Sequence, residues 1–164
     1  MSPTPLRIAL SGLALSAAGF GAIATYEDWS PVALPPVKGD VPTYGFGSTT
    51  DASGAPLKGG EKITPTQGVV LALRDISKFE GAVKQCVHVP LAQNEYDAYI
   101  SLSYNIGPAN FCGSSLVKKL NAQDYTGACM EILRWNRFKG QPMRGLTLRR
   151  QGENKKCLGE RGAA

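Results

Sequence analysis

The chain has 164 residues, 43% of them hydrophobic and 19% charged, with a net charge of +5. That composition excludes a disordered, low-complexity or repeat chain, and the length fits a single globular domain. The basic balance favours a polyanionic partner: nucleic acid, anionic lipid headgroups or an anionic wall polymer.

Residues 1–7 carry one side-chain positive charge, Arg7, and residues 8–26, IALSGLALSAAGFGAIATY, carry none. Nineteen uncharged residues are about the length of a transmembrane helix. Gly12, Gly19 and Gly21, with several Ala and Ser, make this a weak span. Positive charge before it and the acids Glu27 and Asp28 after it orient the N-terminus to the cytoplasm and the body outward. Three readings stay open: a signal peptide cleaved after Ala22-Ile23-Ala24, a permanent anchor, or a marginal anchor that inserts and later leaves the bilayer.

Pro31, Pro35 and Pro36 forbid a regular helix through the next segment. Val41 to Thr50 has the composition of short strands, and Gly45 and Gly47 within it signal tight bends or close approach of backbone or ligand. Asp51 to Gly60 is a loop by composition. Thr64-Pro65-Thr66-Gln67 then combines a cap, a proline at the first helical position and Gln three residues after the cap. Val69, Leu73, Ile76, Phe79 and Val83 follow as an apolar face at helical spacing.

A second helix is predicted over Gln93–Ile106, with Tyr96, Tyr99, Ile100, Leu102 and Ser103 inward and Gly107-Pro108 as its stop. Shorter helices are predicted at Ser114–Leu120 and Asp124–Trp135, and a basic one from Met143 to Cys157. Trp135 and Phe138 read as core of the helical part, His88 as a loop residue, and Arg149, Arg150 and Glu153 as a charged helix surface. The fold class is α+β: a small sheet followed by a helical lobe.

Cys86, Cys112, Cys129 and Cys157 contain no C-x-x-C pair, and His88 is the only histidine, which argues against a structural metal and for disulfides in an exported chain. Three pairings are possible. Placement on the predicted helices favours Cys86–Cys112 and Cys129–Cys157.

Two carboxylates flanking a cleft can cleave a glycosidic bond, one protonating the leaving oxygen and the other ordering water or stabilising the cationic sugar. Glu27, beside the apolar stretch, suits the proton donor, and Asp40, at the start of the strand region, could face the same cleft. Thr43 offers a hydroxyl that could hold a water. The pair alone carries little weight, since most such acids are surface charges.

Four blocks carry a resemblance: GDVPTYGFGSTT, KFEGAVKQCVHVPLAQNEYDAYISLSYNIGPANFC, SSLVKKLNAQDYTGAC and GLTLRRQGE. Together and in this order they resemble phage lysozymes of the muramidase type, in particular endolysins with a signal-anchor-release segment. The resemblance implies a lysozyme-like fold, with a cleft between a small β lobe and a larger helical lobe. It divides the chain into a signal-anchor-release helix at 1–26 and a catalytic domain at 27–164.

The family pattern E-x8-D-x5-T places Glu27 as the acid and Thr43 as the threonine. It points to Pro36 or Val37 for the aspartate, and neither is an acid. Asp40, three residues before Thr43, takes that role here, with Asp28 a weaker stand-in at a position where the family often has Gly. Asn105 resembles the helix end that lines the cleft floor, although on its own it reads as a helix cap.

The implied activity is hydrolysis of peptidoglycan between N-acetylmuramic acid and N-acetylglucosamine, with no cofactor or metal. The chain would act as a monomer, without nucleic acid, held transiently in the host inner membrane by residues 8–26 and then released into the periplasm. Rival readings are a lytic transglycosylase and a non-catalytic wall-binding module.

Overall fold

A computed structural model describes residues 5–160. The first four residues of the expected 1–26 segment, and residues 161–164, lie outside the described part. The chain divides into two compact units, one formed by residues up to Phe20 together with those from Phe79 onward, the other by Gly21–Lys78. Helices α1 (Ala17–Glu27) and α2 (Pro65–Cys86) contribute residues to both.

The Gly21–Lys78 unit is built on a small antiparallel sheet. Strand β1 (Ser30–Leu34) pairs with β2 (Thr43–Gly45), with Ser30 opposite Gly45, Leu34 opposite Thr43 and an irregularity between. On its other side β1 meets residues 60–63: Ile63 N–H donates to the Pro31 carbonyl at 3.0 Å and Ala33 N–H donates to Glu61 at 2.8 Å. The proline segment is therefore non-helical, as expected, but its first half is a strand. Pro31 has no N–H to give, yet its carbonyl still joins the ladder. Ala33, Tyr44, Leu57, Ile63 and Leu71 form the core, with Trp29 packed against it.

Helix α2 begins as its sequence indicates, since Gln67 Oε1 accepts from both the N–H and the hydroxyl of Thr64 at 3.0 Å. Its inward face differs by a few residues from the expected stripe. Leu71, Ala72, Asp75 and Ile76 are buried, whereas Leu73 is 49% exposed. Asp75 sits in the core-facing row with its charge paired by Arg74.

The larger unit is helical: α3 (Gln93–Ile106), α4 (Pro108–Cys112), α5 (Ser115–Asn121), α6 (Tyr125–Glu131) and α7 (Arg144–Cys157). Every residue of α3 from Glu95 to Ser103 is buried, so it is the central helix of this unit. Gly107, at φ +87°, ends α3 and starts α4, a short helix with no apolar period to announce it. Ser114 caps α5 and Asp124 caps α6 through their side-chain oxygens. Disulfides Cys86–Cys112 and Cys129–Cys157, each with Cα atoms 5.6 Å apart, fasten α2 to α4 and α6 to α7.

Two readings of this unit need correction. Arg149, Arg150 and Glu153 are not a surface set: Arg150 is 0% and Glu153 2% exposed. Glu153 accepts from Arg149 at 3.1 Å, pairs with Arg150 at 2.9 Å and takes the Ser101 hydroxyl at 2.6 Å, which explains how α7 packs charges against α3. Phe138 is not core. It lies exposed on a hairpin of β3 (Arg137–Phe138) and β4 (Gln141–Pro142) whose turn, Lys139-Gly140, takes positive φ at both residues.

Residues 8–26 are not one helix here. Ile8 exchanges two 2.9 Å backbone bonds with Leu91, Leu10–Gly12 form a 3-10 turn, and α1 starts only at Ala17. Between them the freed backbone groups are taken by side chains. Leu15 N–H donates to Glu80 at 2.8 Å, and Ser16 N–H to Asp97 at 3.0 Å. The carbonyls of Leu13 and Ala14 accept from Lys84 at 2.7 Å and Gln93 at 2.8 Å. Among the described residues no helix is long and apolar enough to cross a membrane.

Candidate active site

Glu27 is the last residue of α1 and is half-buried. Asp28 follows in the left-handed region at φ +55° and turns the chain out of the helix toward β1. That conformation is the common helix stop, which glycine occupies most easily and Asp tolerates.

The carboxylate of Glu27 is met by the turn after β2. Gly47 stands at φ +87°, and a Cβ there would lie 2.9 Å from Glu27 Oε2 and 3.4 Å from its Cδ. Both the backbone angle and the space therefore demand glycine. Gly45 answers a second approach: at φ +61°, its Cβ position is 3.3 Å from the Cα of Gly68 on α2. Trp29 covers that contact, and its ring lies 5.2 Å from that of Phe46 at 57°. The two glycines of T-Y-G-F-G thus perform different tasks, one letting β2 reach α2, the other letting backbone reach the acid.

The turn is fixed from behind. Tyr44 and Ser48 exchange two backbone bonds of 3.1 Å, and the Ser48 hydroxyl donates to buried Asp75 at 2.8 Å. Arg74 binds Asp75 at 2.8 and 3.0 Å and reaches Thr50 Oγ1 at 2.8 Å and the Asp51 carbonyl at 2.5 Å. A buried carboxylate is tolerable when so bonded. Ser48, Arg74 and Asp75 were not singled out by sequence reasoning. The signal available was an acid on the otherwise apolar inward face of α2.

Thr43 opens β2 opposite Leu34 and is half-buried. Asp40 lies in the exposed turn between β1 and β2, its N–H donating to Val37 at 3.1 Å and its Oδ1 accepting from Val41 N–H at 2.8 Å. Gly39 at φ +88° shapes that turn. Glu27, Asp40 and Thr43 all belong to the Gly21–Lys78 unit. Asn105 is exposed near the end of α3 in the other unit. Among the described residues no group of three or more His, Cys, Asp or Glu gathers to hold a metal ion.

Comparison with known proteins covers this whole arrangement. The sequence pattern of the phage lysozyme family matches residues 24–153. The chain is 36% identical over 154 residues to the SAR-endolysin of Pseudomonas phage phiKMV, covering 91% of each. It is 39% identical over 115 residues to an endolysin of Acyrthosiphon pisum secondary endosymbiont phage 1, covering 68% of this chain and 75% of the relative. Its fold is similar to that of the endolysin from Escherichia coli O157:H7 phage FAHEc1, with a TM-score of 0.82 at 32% identity over 97% of this chain and 100% of the other. The helical lobe and small sheet are those of a lysozyme-like fold.

Proposed function

The chain belongs to the phage lysozyme family, and from that premise we propose that it hydrolyses the β-1,4 bond between N-acetylmuramic acid and N-acetylglucosamine in peptidoglycan and so lyses the host. The observation that carries this reading is the Glu27 carboxylate at the end of α1, met by the backbone of Gly47. Glu27 protonates the leaving oxygen, while Asp40 and Thr43 order the attacking water and Asn105 contacts the sugar chain. Such a proton donor is worth about 10²–10⁴ in rate. Turbidity loss of permeabilised cells should therefore fall by that order in Glu27→Gln. Equal activity in the two proteins would overturn the assignment.

Asp40 sits in an exposed turn, with one carboxylate oxygen accepting from Val41 N–H. That observation favours examining a one-acid alternative, a lytic transglycosylase. Mass spectrometry of released fragments separates the two: reducing muramyl ends support hydrolysis, and anhydromuramyl ends refute it.

The proposal extends to residues 8–26. In the newly made protein they hold the chain in the host inner membrane, N-terminus in the cytoplasm, with Glu27 pinned at the bilayer surface. On leaving the bilayer they join the fold in the periplasm and activity begins. The weak hydropathy and the 36% identity to a SAR-endolysin, in a match that covers 91% of this chain, support this. Intact-mass measurement of membrane and soluble fractions should find the same full-length chain in both. A soluble chain starting at Thr25 would show a cleaved signal instead.

A further inference from the structure

Asp75 is 8% exposed, on a face of α2 whose other buried residues are Leu71, Ala72 and Ile76. A paired charge in a core contributes little net stability over an apolar side chain of similar size. Its bonds point to another role. Asp75 Oδ2 accepts from the Ser48 hydroxyl at 2.8 Å, and Oδ1 accepts from Arg74 and, at 3.5 Å, from exposed Lys78. Arg74 in turn donates to Thr50 Oγ1 and to the Asp51 carbonyl. Together Arg74 and Asp75 grip residues 48–51, the return leg of the turn that follows β2.

That leg bears on the acid at the end of α1 through a single residue. Ser48, only 2% exposed, follows Gly47, whose Cβ position is 2.9 Å from Glu27 Oε2. Ser48 also exchanges two 3.1 Å backbone bonds with Tyr44, the neighbour of Thr43. A shift of Ser48 therefore moves Gly47 against the carboxylate and takes Tyr44, with Thr43, along. Gly45 against Gly68 and Phe46 against Trp29 add apolar contacts to the turn. Such contacts are non-directional, whereas a hydroxyl–carboxylate bond fixes both distance and angle.

We propose, on the reading of Glu27 as the proton donor, that Ser48 and Asp75 are positioning residues for the reaction. They hold the turn so that Gly47 sets the Glu27 carboxylate and Thr43 keeps its place for the water. Arg74 orients Asp75 and the leg beyond it. All three act through the turn and not on the sugar. Misplacing a reacting group by about 1 Å lowers the rate on the order of 10²-fold. Because the glycan still binds, the loss falls on kcat and not on KM.

Steady-state kinetics of the purified full-length protein test this, with soluble, uncrosslinked strands of alternating N-acetylglucosamine and N-acetylmuramic acid as substrate. Asp75→Ala should lose about 10²-fold in kcat and Ser48→Ala about tenfold, each with KM within about twofold of wild type. Asp75→Asn keeps both contacts, because its amide oxygen accepts from Arg74 while its NH2 donates to the Ser48 hydroxyl. It should hold kcat within about threefold of wild type even where the lost charge lowers its melting temperature.

Wild-type kcat in a Ser48→Ala protein that melts lower would overturn the proposal and leave the bond purely structural. A raised KM at unchanged kcat would also overturn it, since the turn would then bind glycan and not place the acid. Asp75→Asn falling as far as Asp75→Ala would remove Asp75 from the positioning role. Should Asp75→Ala fail to fold, Ser48→Ala against Asp75→Asn decides. Glu27→Gln in the same assay keeps the two claims apart. Activity retained there defeats the donor reading, whereas activity lost there and kept in Ser48→Ala defeats the positioning role alone.

Discussion

The Cβ position of Gly47 lies 2.9 Å from Oε2 of Glu27, so the turn that follows Thr43 is in van der Waals contact with the carboxylate at the end of α1. Gly47→Ala must displace that carboxylate or the turn, and it also forces an alanine to φ +87°. The expected result is about 1–2 kcal/mol of lost stability and a loss of lytic activity on the order of 10²-fold. Measuring turbidity loss alongside a thermal melt checks both. Full activity in a folded Gly47→Ala protein would show that the contact does not position the acid.

Asp28 should behave oppositely. It occupies φ +55° at the helix stop, and glycine relieves the strain that Asp bears there. Asp28→Gly should raise stability by roughly 0.5–1 kcal/mol with activity kept, since neither proposed acid is touched. A drop in melting temperature would indicate that the Asp28 side chain contributes something the backbone does not reveal.

Glu153 holds two buried arginines, Arg149 and Arg150, between α7 and α3. Removing its charge in Glu153→Gln takes a counter-ion from both buried cations and should cost about 3–5 kcal/mol. Denaturant titration of the purified variant measures it. A loss below about 1 kcal/mol would mean that water or relaxation compensates the arginines.

Acid should weaken the α5–α6 region in a defined window. Bonds from Lys119 and Ser115, with Arg134 adding, lower the Glu131 carboxyl to about 2. A depressed folded value means that this stabilisation is fully present above the ordinary glutamate value and fades as pH falls toward about 2. Stability measured from pH 5 down to about 2 should fall less in Glu131→Gln than in wild type. Parallel curves would remove Glu131 from the account of acid sensitivity.

What could be read in the sequence was local. The Thr64–Gln67 cap and the Gln93–Ile106 helix follow from short-range chemistry and period, and both stand as expected. The glycines at 45 and 47 signalled close approach, and backbone and carboxylate do approach there. The misread residues depend on partners far along the chain. Arg150 looks like surface until Glu153 and Ser101 bury with it. Strand β1 hides in a proline segment because its ladder is supplied by β2 and by residues 60–63. An uncharged run such as 8–26 gives no sign of a break at Leu13–Ser16, since the bonds that permit it come from Glu80, Lys84, Gln93 and Asp97.

That break imposes a double reading on a stretch of nineteen residues. As a bilayer segment it would gain from every glycine exchanged for leucine, but the fold does not treat its glycines alike. A Cβ on Gly19 would fall 2.8 Å from Cγ of Asp97, the carboxylate that receives Ser16, whereas Gly21 has nothing within 4 Å. On the proposed membrane reading, a substitution meant to strengthen the bilayer segment has room at Gly21 and none at Gly19. The low hydropathy of this segment is in part a requirement of the folded protein, set by where its chain must pass close to a carboxylate.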